Sequence, residues 1–155
     1  MLKKFLPVFF IIILGFLSCE KDSLEENLVQ TSNSVIEKEI LNLVNSHRSS
    51  LGKEILLNSN VAKEYADEHS LYMVGKGKIS HDNFPIRAEN ISQKTNASFI
   101  AENVAKDFTT ASQTFSKWLE SSGHKQNIEG DFTHTGVSVK ADEDGNFYFT
   151  QIFYK

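Results

Sequence analysis

The last fifth of the chain alternates. Gly136-Val137-Ser138-Val139-Lys140, and then the run from Phe147 to Phe153, put every second side chain on one side. That period belongs to half-buried strands. Between the runs lies Asp142-Glu143-Asp144-Gly145-Asn146. Its Asp-Gly pair suits the positive backbone angles of a tight turn, so the two runs predict a β-hairpin.

Upstream the period changes to that of helices. Ser34-Val35-Ile36-Glu37 fits a capping box. Ile36, Ile40, Leu43, Val44, His47 and Leu51 then recur at helical spacing, and Gly52 reads as the stop. A second helix is expected to be capped near Asn58 or Ser59, with Val61, Ala62, Tyr65, Ala66, His69, Tyr72 and Met73 inward and Gly75 and Gly77 ending it. A polar loop carrying His81 and Pro85 follows. Phe99 to Val104 fits a short strand or a turn of helix. Thr109 or Thr110 caps a third helix, with Phe108, Ala111, Phe115, Trp118 and Leu119 inward and Gly123 closing it. Helices first and strands afterwards predict a layered α+β domain.

The N-terminus reads differently. Lys3 and Lys4 precede an apolar run from Phe5 to Leu17, shorter than the roughly 20 residues a membrane-spanning helix needs. A basic start, a short apolar centre and a small residue describe an export signal. Leu17-Ser18-Cys19 resembles a bacterial lipobox, in which cleavage precedes a cysteine that is then lipidated. Cys19 is the only cysteine, and an anchor accounts for an unpaired cysteine in an exported chain. The expected organisation is residues 1–18 as signal peptide, 19–33 as a polar, unstructured tether and 34–155 as the domain. The expected location is the cell membrane or outer membrane. Loss of the signal removes two lysines and takes the formal charge from −4 to −6. An acidic domain of this kind lacks the clustered basic charge that nucleic acid requires.

Five histidines are candidates for chemistry. His47 and His69 lie on the inward faces of the first two helices and read as packed histidines with one nitrogen hydrogen-bonded. Neither has a second ligand three or four residues away, so neither forms a local metal motif. His81, His124 and His134 fall in expected loops, where binding groups concentrate. His134 precedes the hairpin and reads as edge polarity. Nothing in the spacing of His81 and His124 shows that they meet.

The segments HDNFPIR (81–87), AENVA (101–105), WLESSGHKQNI (118–128) and THTGVSV with YFTQIF (133–153) resemble, in order and spacing, the bacterial CAP domain. That superfamily is also called SCP, PR-1-like or cysteine-rich secretory protein. LNLVNSHRSSLG (41–52) and LLNSNVAKEYADEHSLYM (56–73) are similar to its first two helices. The resemblance implies an α-β-α sandwich, a central antiparallel sheet with helices on both faces, and makes Asn103 to Lys106 a candidate third strand. It also implies a cleft with two histidines and acidic residues that holds a divalent metal, zinc above all. By motif position the histidines are His81 and His124, and one acid is Glu102. Asn103, Ser121 and Asn127 lie beside them, and the two asparagines are expected to hold the surrounding backbone in place. The family's second acid falls at Ser121 here. Glu120 is its neighbour but points about 100° away on a helix.

Two functions follow from the resemblance. One is a lipid-anchored binding module for a small molecule, lipid, glycan or peptide at the cell envelope, with the membrane as its other partner. The other is a metal-dependent hydrolase, with a metal-bound water and Glu102 as general base. No serine or cysteine nucleophile arrangement is present, which favours binding.

Overall fold

The computed structural model describes the backbone of residues 20–155 and side chains from Asn33 onward. Residues 1–18, expected as a signal peptide, and Cys19 lie outside the described residues. The elements are α1 (Glu20–Ser50), β1 (Leu57–Asn58), α2 (Asn60–Lys76), α3 (Phe84–Thr95), β2 (Ile100–Lys106), α4 (Ala111–Glu120), α5 (Ser122–Ile128), β3 (His134–Ala141) and β4 (Phe147–Tyr154). The fold is α+β, with five helices around one four-stranded sheet among the described residues.

The sheet runs β1-β3-β4-β2. The hairpin β3–β4 forms as its alternation predicts, with Val137 opposite Gln151 and Val139 opposite Phe149. β2 lies antiparallel to β4 and places Glu102 opposite Ile152. The two-residue β1 adds a parallel pairing to β3. β2 is therefore an edge strand, and the site is built on it.

Strand alternation sends side chains to two cores. Ala105, Val137, Val139, Phe149 and Phe153 pack against Ile36, Ile40 and Val44 of α1, Trp118 of α4 and Ile128 of α5. On the opposite face Ile152 and Tyr154 meet Ala62, Tyr65 and Ala66 of α2 and Ile91 of α3. Met73 of α2 packs with Val104 and Tyr148 nearby. At Gly136 the α2 backbone comes close to the sheet. A Cβ there would lie 2.2 Å from the Lys63 nitrogen and 2.4 Å from the Ala62 carbonyl carbon. The glycine thus serves close backbone approach.

Two expected caps form. Ser59 accepts from the Ala62 N–H and Thr110 from the Gln113 N–H, satisfying donors that a helix start leaves free. The capping box at Ser34 does not, because α1 runs through it from Glu20. No glycine or proline interrupts residues 20–50, and the expected tether is helical in its backbone. Glu37 is used elsewhere: its carboxylate accepts the Val139 backbone N–H at 2.9 Å and pairs with Lys63 at 3.1 Å. Phe99 to Val104, left open between strand and helix, falls mostly within strand β2.

Candidate binding cleft

Adjacent residues of β2 serve opposite faces. Glu102 points toward α2 and α3, and Asn103 toward α5. Phe99 and Lys155 exchange both backbone hydrogen bonds, at 3.2 and 3.0 Å. An antiparallel ladder alternates, so Glu102 and Val104 turn their backbone groups away from β4 toward the open edge. That edge is covered by α4 and α5: Trp118 Nε1 donates to the Val104 carbonyl at 3.1 Å and Asn127 Nδ2 to the Glu102 carbonyl at 3.3 Å. Satisfying an edge strand in this way removes a pairing template. It also fixes the stretch between Trp118 and Asn127, which contains His124, along the rim of the sheet.

His124 lies within α5 rather than on the expected loop, and Gly123 is the second residue of that helix rather than the end of the one before it. The break falls at Ser121, whose extended backbone (φ −91°, ψ 120°) separates α4 from α5. Asn103 Nδ2 donates to the His124 carbonyl at 3.1 Å, and Asn127 Nδ2 to Asn103 Oδ1 at 2.8 Å. The far end of α5 is held from α1. The buried Arg48 guanidinium donates to the carbonyls of Ile128 and Gly130, each at 2.8 Å, and of Phe132 at 3.1 Å. His47 Nε2 contacts Glu129 at 2.8 Å and its ring meets Phe115 edge-on. His47 is a packed histidine with one bonded nitrogen, as its sequence position implies.

On the other face, Glu102 carries a buried carboxylate, its side chain 1 % exposed. Arg87 of α3 donates to it from Nε and from one terminal nitrogen, at 2.7 to 2.9 Å across both oxygens. Such forked pairs are among the strong charge-assisted hydrogen bonds. His81 Nδ1 lies 2.9 Å from Glu102 Oε1. A carboxylate held by a guanidinium accepts, so Nδ1 carries the proton. The His81 Nε2 then offers its lone pair, on a side chain 51 % exposed. α3 occupies a stretch that the sequence pattern presents as loop. It starts at Asn83 in the left-handed region with proline in its first turn, and only Arg87 and Ile91 are buried, too few to print a helical period.

His81 and His124 thus reach the rim of β2 from opposite layers of the sandwich. Burial holds the His124 imidazole pKa below its ordinary value, and the nearby His81 lowers it further. Beside His124 a groove of about 450 Å³ is lined by Ile79, Val104, Phe108 and Trp118, by Lys78, Lys106 and Lys117, and by Asp107. Ser121 lines it as well. Glu120 does not, being paired with Lys117 Nζ at 2.6 Å on the exposed side of α4. His134 is remote, opening β3 and stacked on Tyr154 at 4.8 Å.

The donor set meets a divalent metal only in part. Two imidazole nitrogens are ligands that zinc accepts, but zinc sites normally use three or four protein ligands. Both Glu102 oxygens are already engaged, and no group of three or more His, Cys, Asp or Glu side chains disposed to hold a metal occurs among the described residues. Glu102 instead stands behind His81 and orients its ring.

The architecture is a CAP-type sandwich. Residues 41–153 match the model of the cysteine-rich secretory protein family, CAP, and the chain belongs to that family. It is 29 % identical over 133 residues to the uncharacterized protein YkwD of Bacillus subtilis, and spans about half of that relative's length (49 %) while 81 % of this chain is matched. Two solved structures share the fold. An extracellular protein of Bacillus anthracis containing an SCP domain superposes with a TM-score of 0.74 at 24 % identity, over 83 % of this chain and 43 % of that one. An outer surface protein of Borrelia burgdorferi gives 0.69 at 19 %, over 76 % and 90 %.

Proposed function

We propose that this CAP domain is an exported, lipid-anchored binding module. Its cleft takes a small anionic ligand from the envelope or its surroundings at the His81–His124 rim. The observation that carries this reading is the Glu102–His81 contact at 2.9 Å, which leaves the other ring nitrogen of His81 unengaged on a half-exposed side chain. The groove next to His124 adds apolar lining with Lys78, Lys106 and Lys117, of which Lys117 pairs with Glu120 and Lys106 with Asp107 of the same lining. Apolar lining with a few placed polar groups is the usual composition of a ligand site, and Lys78 favours an acidic group on the ligand.

A divalent metal, zinc first, would be held by His81 and His124, with its remaining positions filled by solvent or by the ligand. Bound there, it would supply a Lewis-acidic centre for an oxygen donor. Glu102 is assigned to orienting His81 rather than to proton transfer, because both its oxygens are committed to Arg87 and His81. Binding is therefore preferred over hydrolysis. Export and anchoring rest on the basic and apolar leader with Cys19 behind it. Relatives described as extracellular and outer surface proteins are in keeping with export.

The test is a thermal-shift screen of anionic amphiphiles and acidic peptides, with and without zinc. Hits should lose their stabilising effect in Lys78→Ala and in His124→Ala. Ligands that stabilise both variants as well as the parent protein would place binding elsewhere.

A further inference from the structure

We infer that His69, which lies behind the cleft, is a positioning residue that determines which nitrogen His81 presents. The inference deepens the reading above, since it concerns the same His81. His69 sits on α2 with its side chain 1 % exposed. Its Nε2 is 2.7 Å from the carbonyl of Ser80, the residue before His81. A carbonyl only accepts, so Nε2 carries the proton. Nδ1 is left bare, buried and without a partner among the described residues. An unpaired buried acceptor carries a desolvation cost that an apolar side chain of similar size would avoid. The Ser80 bond is what the imidazole gives in return.

Its hold on His81 comes from both sides. Ser80 is bound directly. Asp82, on the other side, accepts from Tyr72 Oη at 2.9 Å and Lys76 Nζ at 2.7 Å. The Tyr72 ring in turn stacks on His69, with centroids 5.8 Å apart and planes at 17°. Arg87 closes the clamp by donating to the Asp82 carbonyl at 2.8 Å while its other nitrogens hold Glu102. His69 Nε2 also faces Glu102 Oε1 at 3.6 Å, beyond hydrogen-bond length. The opposite tautomer would turn a lone pair toward both a carbonyl and a carboxylate, so the ring has one stable setting. With the backbone of Ser80 to Asp82 pinned, the His81 ring meets Glu102 through Nδ1, and Nε2 is the nitrogen left for a ligand.

The experiment is a long-range proton–nitrogen correlation spectrum of the full chain, 15N-labelled at histidine, which reads each imidazole's tautomer. Wild type should show His69 protonated at Nε2 and His81 at Nδ1. In His69→Phe, which fills the space without a donor, His81 should move to a mixture of tautomers. Zinc affinity should then fall by about tenfold to a hundredfold, as for other lost outer partners of a ligating histidine. His69→Gln keeps a donor at similar reach and should retain the His81 signature. An unchanged His81 spectrum in folded His69→Phe, a lost signature in His69→Gln, or a wild-type His69 protonated at Nδ1 each overturn the inference. The last needs no variant and decides the matter even if His69→Phe fails to fold. Should zinc shift neither His81 nor His124 in wild type, the metal reading fails while the tautomer result for His69 stands.

Discussion

Glu102 and Asn103, neighbours in β2, each fasten one histidine from opposite faces of the same sheet. The Glu102 carboxylate takes the His81 ring at 2.9 Å, and the Asn103 amide donates to the His124 backbone at 3.1 Å. An edge strand with a side chain on each face can tie residues 43 positions apart in the chain to two adjacent positions. The dipeptide within AENVA therefore acts as a hinge pin between two layers, and changes there should be felt at both.

Removing the charge partner of Arg87 should be costly. Glu102→Ala leaves a guanidinium buried without its carboxylate, a loss on the order of 3–5 kcal/mol. Urea denaturation should show a matching drop in midpoint. Arg87→Met together with Glu102→Leu should recover much of the stability, and His81 should lose its fixed tautomer. A single Glu102→Ala within about 0.5 kcal/mol of the parent protein would mean the pair is not buried as described.

Gly136→Ala probes the approach of α2 to the sheet. The added methyl would meet the Lys63 and Ala62 backbone at 2.2 to 2.4 Å, and backbone cannot rotate aside. Overpacking costs about 1–3 kcal/mol, and contact with backbone puts this substitution at the upper end. Calorimetry should register a lower melting temperature. Gly123→Ala, which meets nothing within 4 Å, should leave it unchanged or raise it slightly, because α5 continues through that position.

Acid should weaken the metal-free fold in the range where histidine titrates. Burial lowers the folded-state pKa of His69, outweighing the attraction of Glu102, and it lowers that of His124 as well. Below the unfolded value of about 6.5 the unfolded chain binds protons that the folded one refuses. Stability is therefore full above that pH and falls as pH drops through it toward each folded pKa. Urea midpoints taken between about pH 7.5 and 5.5 should decline, and more shallowly in His69→Phe. A flat profile in the parent protein would show that these imidazoles are not buried in their neutral form.

Much of this architecture is written in local pattern, and some is not. The hairpin, the Ser59 and Thr110 caps and the inward face of α2 follow directly from alternation, side-chain oxygens and helical spacing. α3 escapes because a helix burying only Arg87 and Ile91 prints no stripe, and α5 escapes because Gly123 reads as a terminator where it is helical. Ser34 and Glu37 make a plausible cap in isolation, but tertiary contacts claim Glu37 for Val139 and Lys63. His81, His124 and Glu102 were reachable only through resemblance to a family. The commitment of Glu102 to Arg87 was not, although Arg87 ends the very motif, HDNFPIR, that His81 begins. Pairing across 15 residues and two elements depends on where α3 packs, and that is a tertiary fact.

The anchor has its own check. Cys19→Ser should move the protein from the membrane fraction to the soluble fraction, and mass spectrometry of the parent protein should find an acyl-modified cysteine at the mature N-terminus. An unmodified Cys19 with the leader still attached would remove the lipid anchor from the proposal.

The most direct test is calorimetric titration of zinc into the parent protein, His81→Ala and His124→Ala at neutral pH. A metal held by His81 and His124 should give one saturable site in the parent protein that is lost in both variants. Equal heats from all three, or none from any, would contradict it.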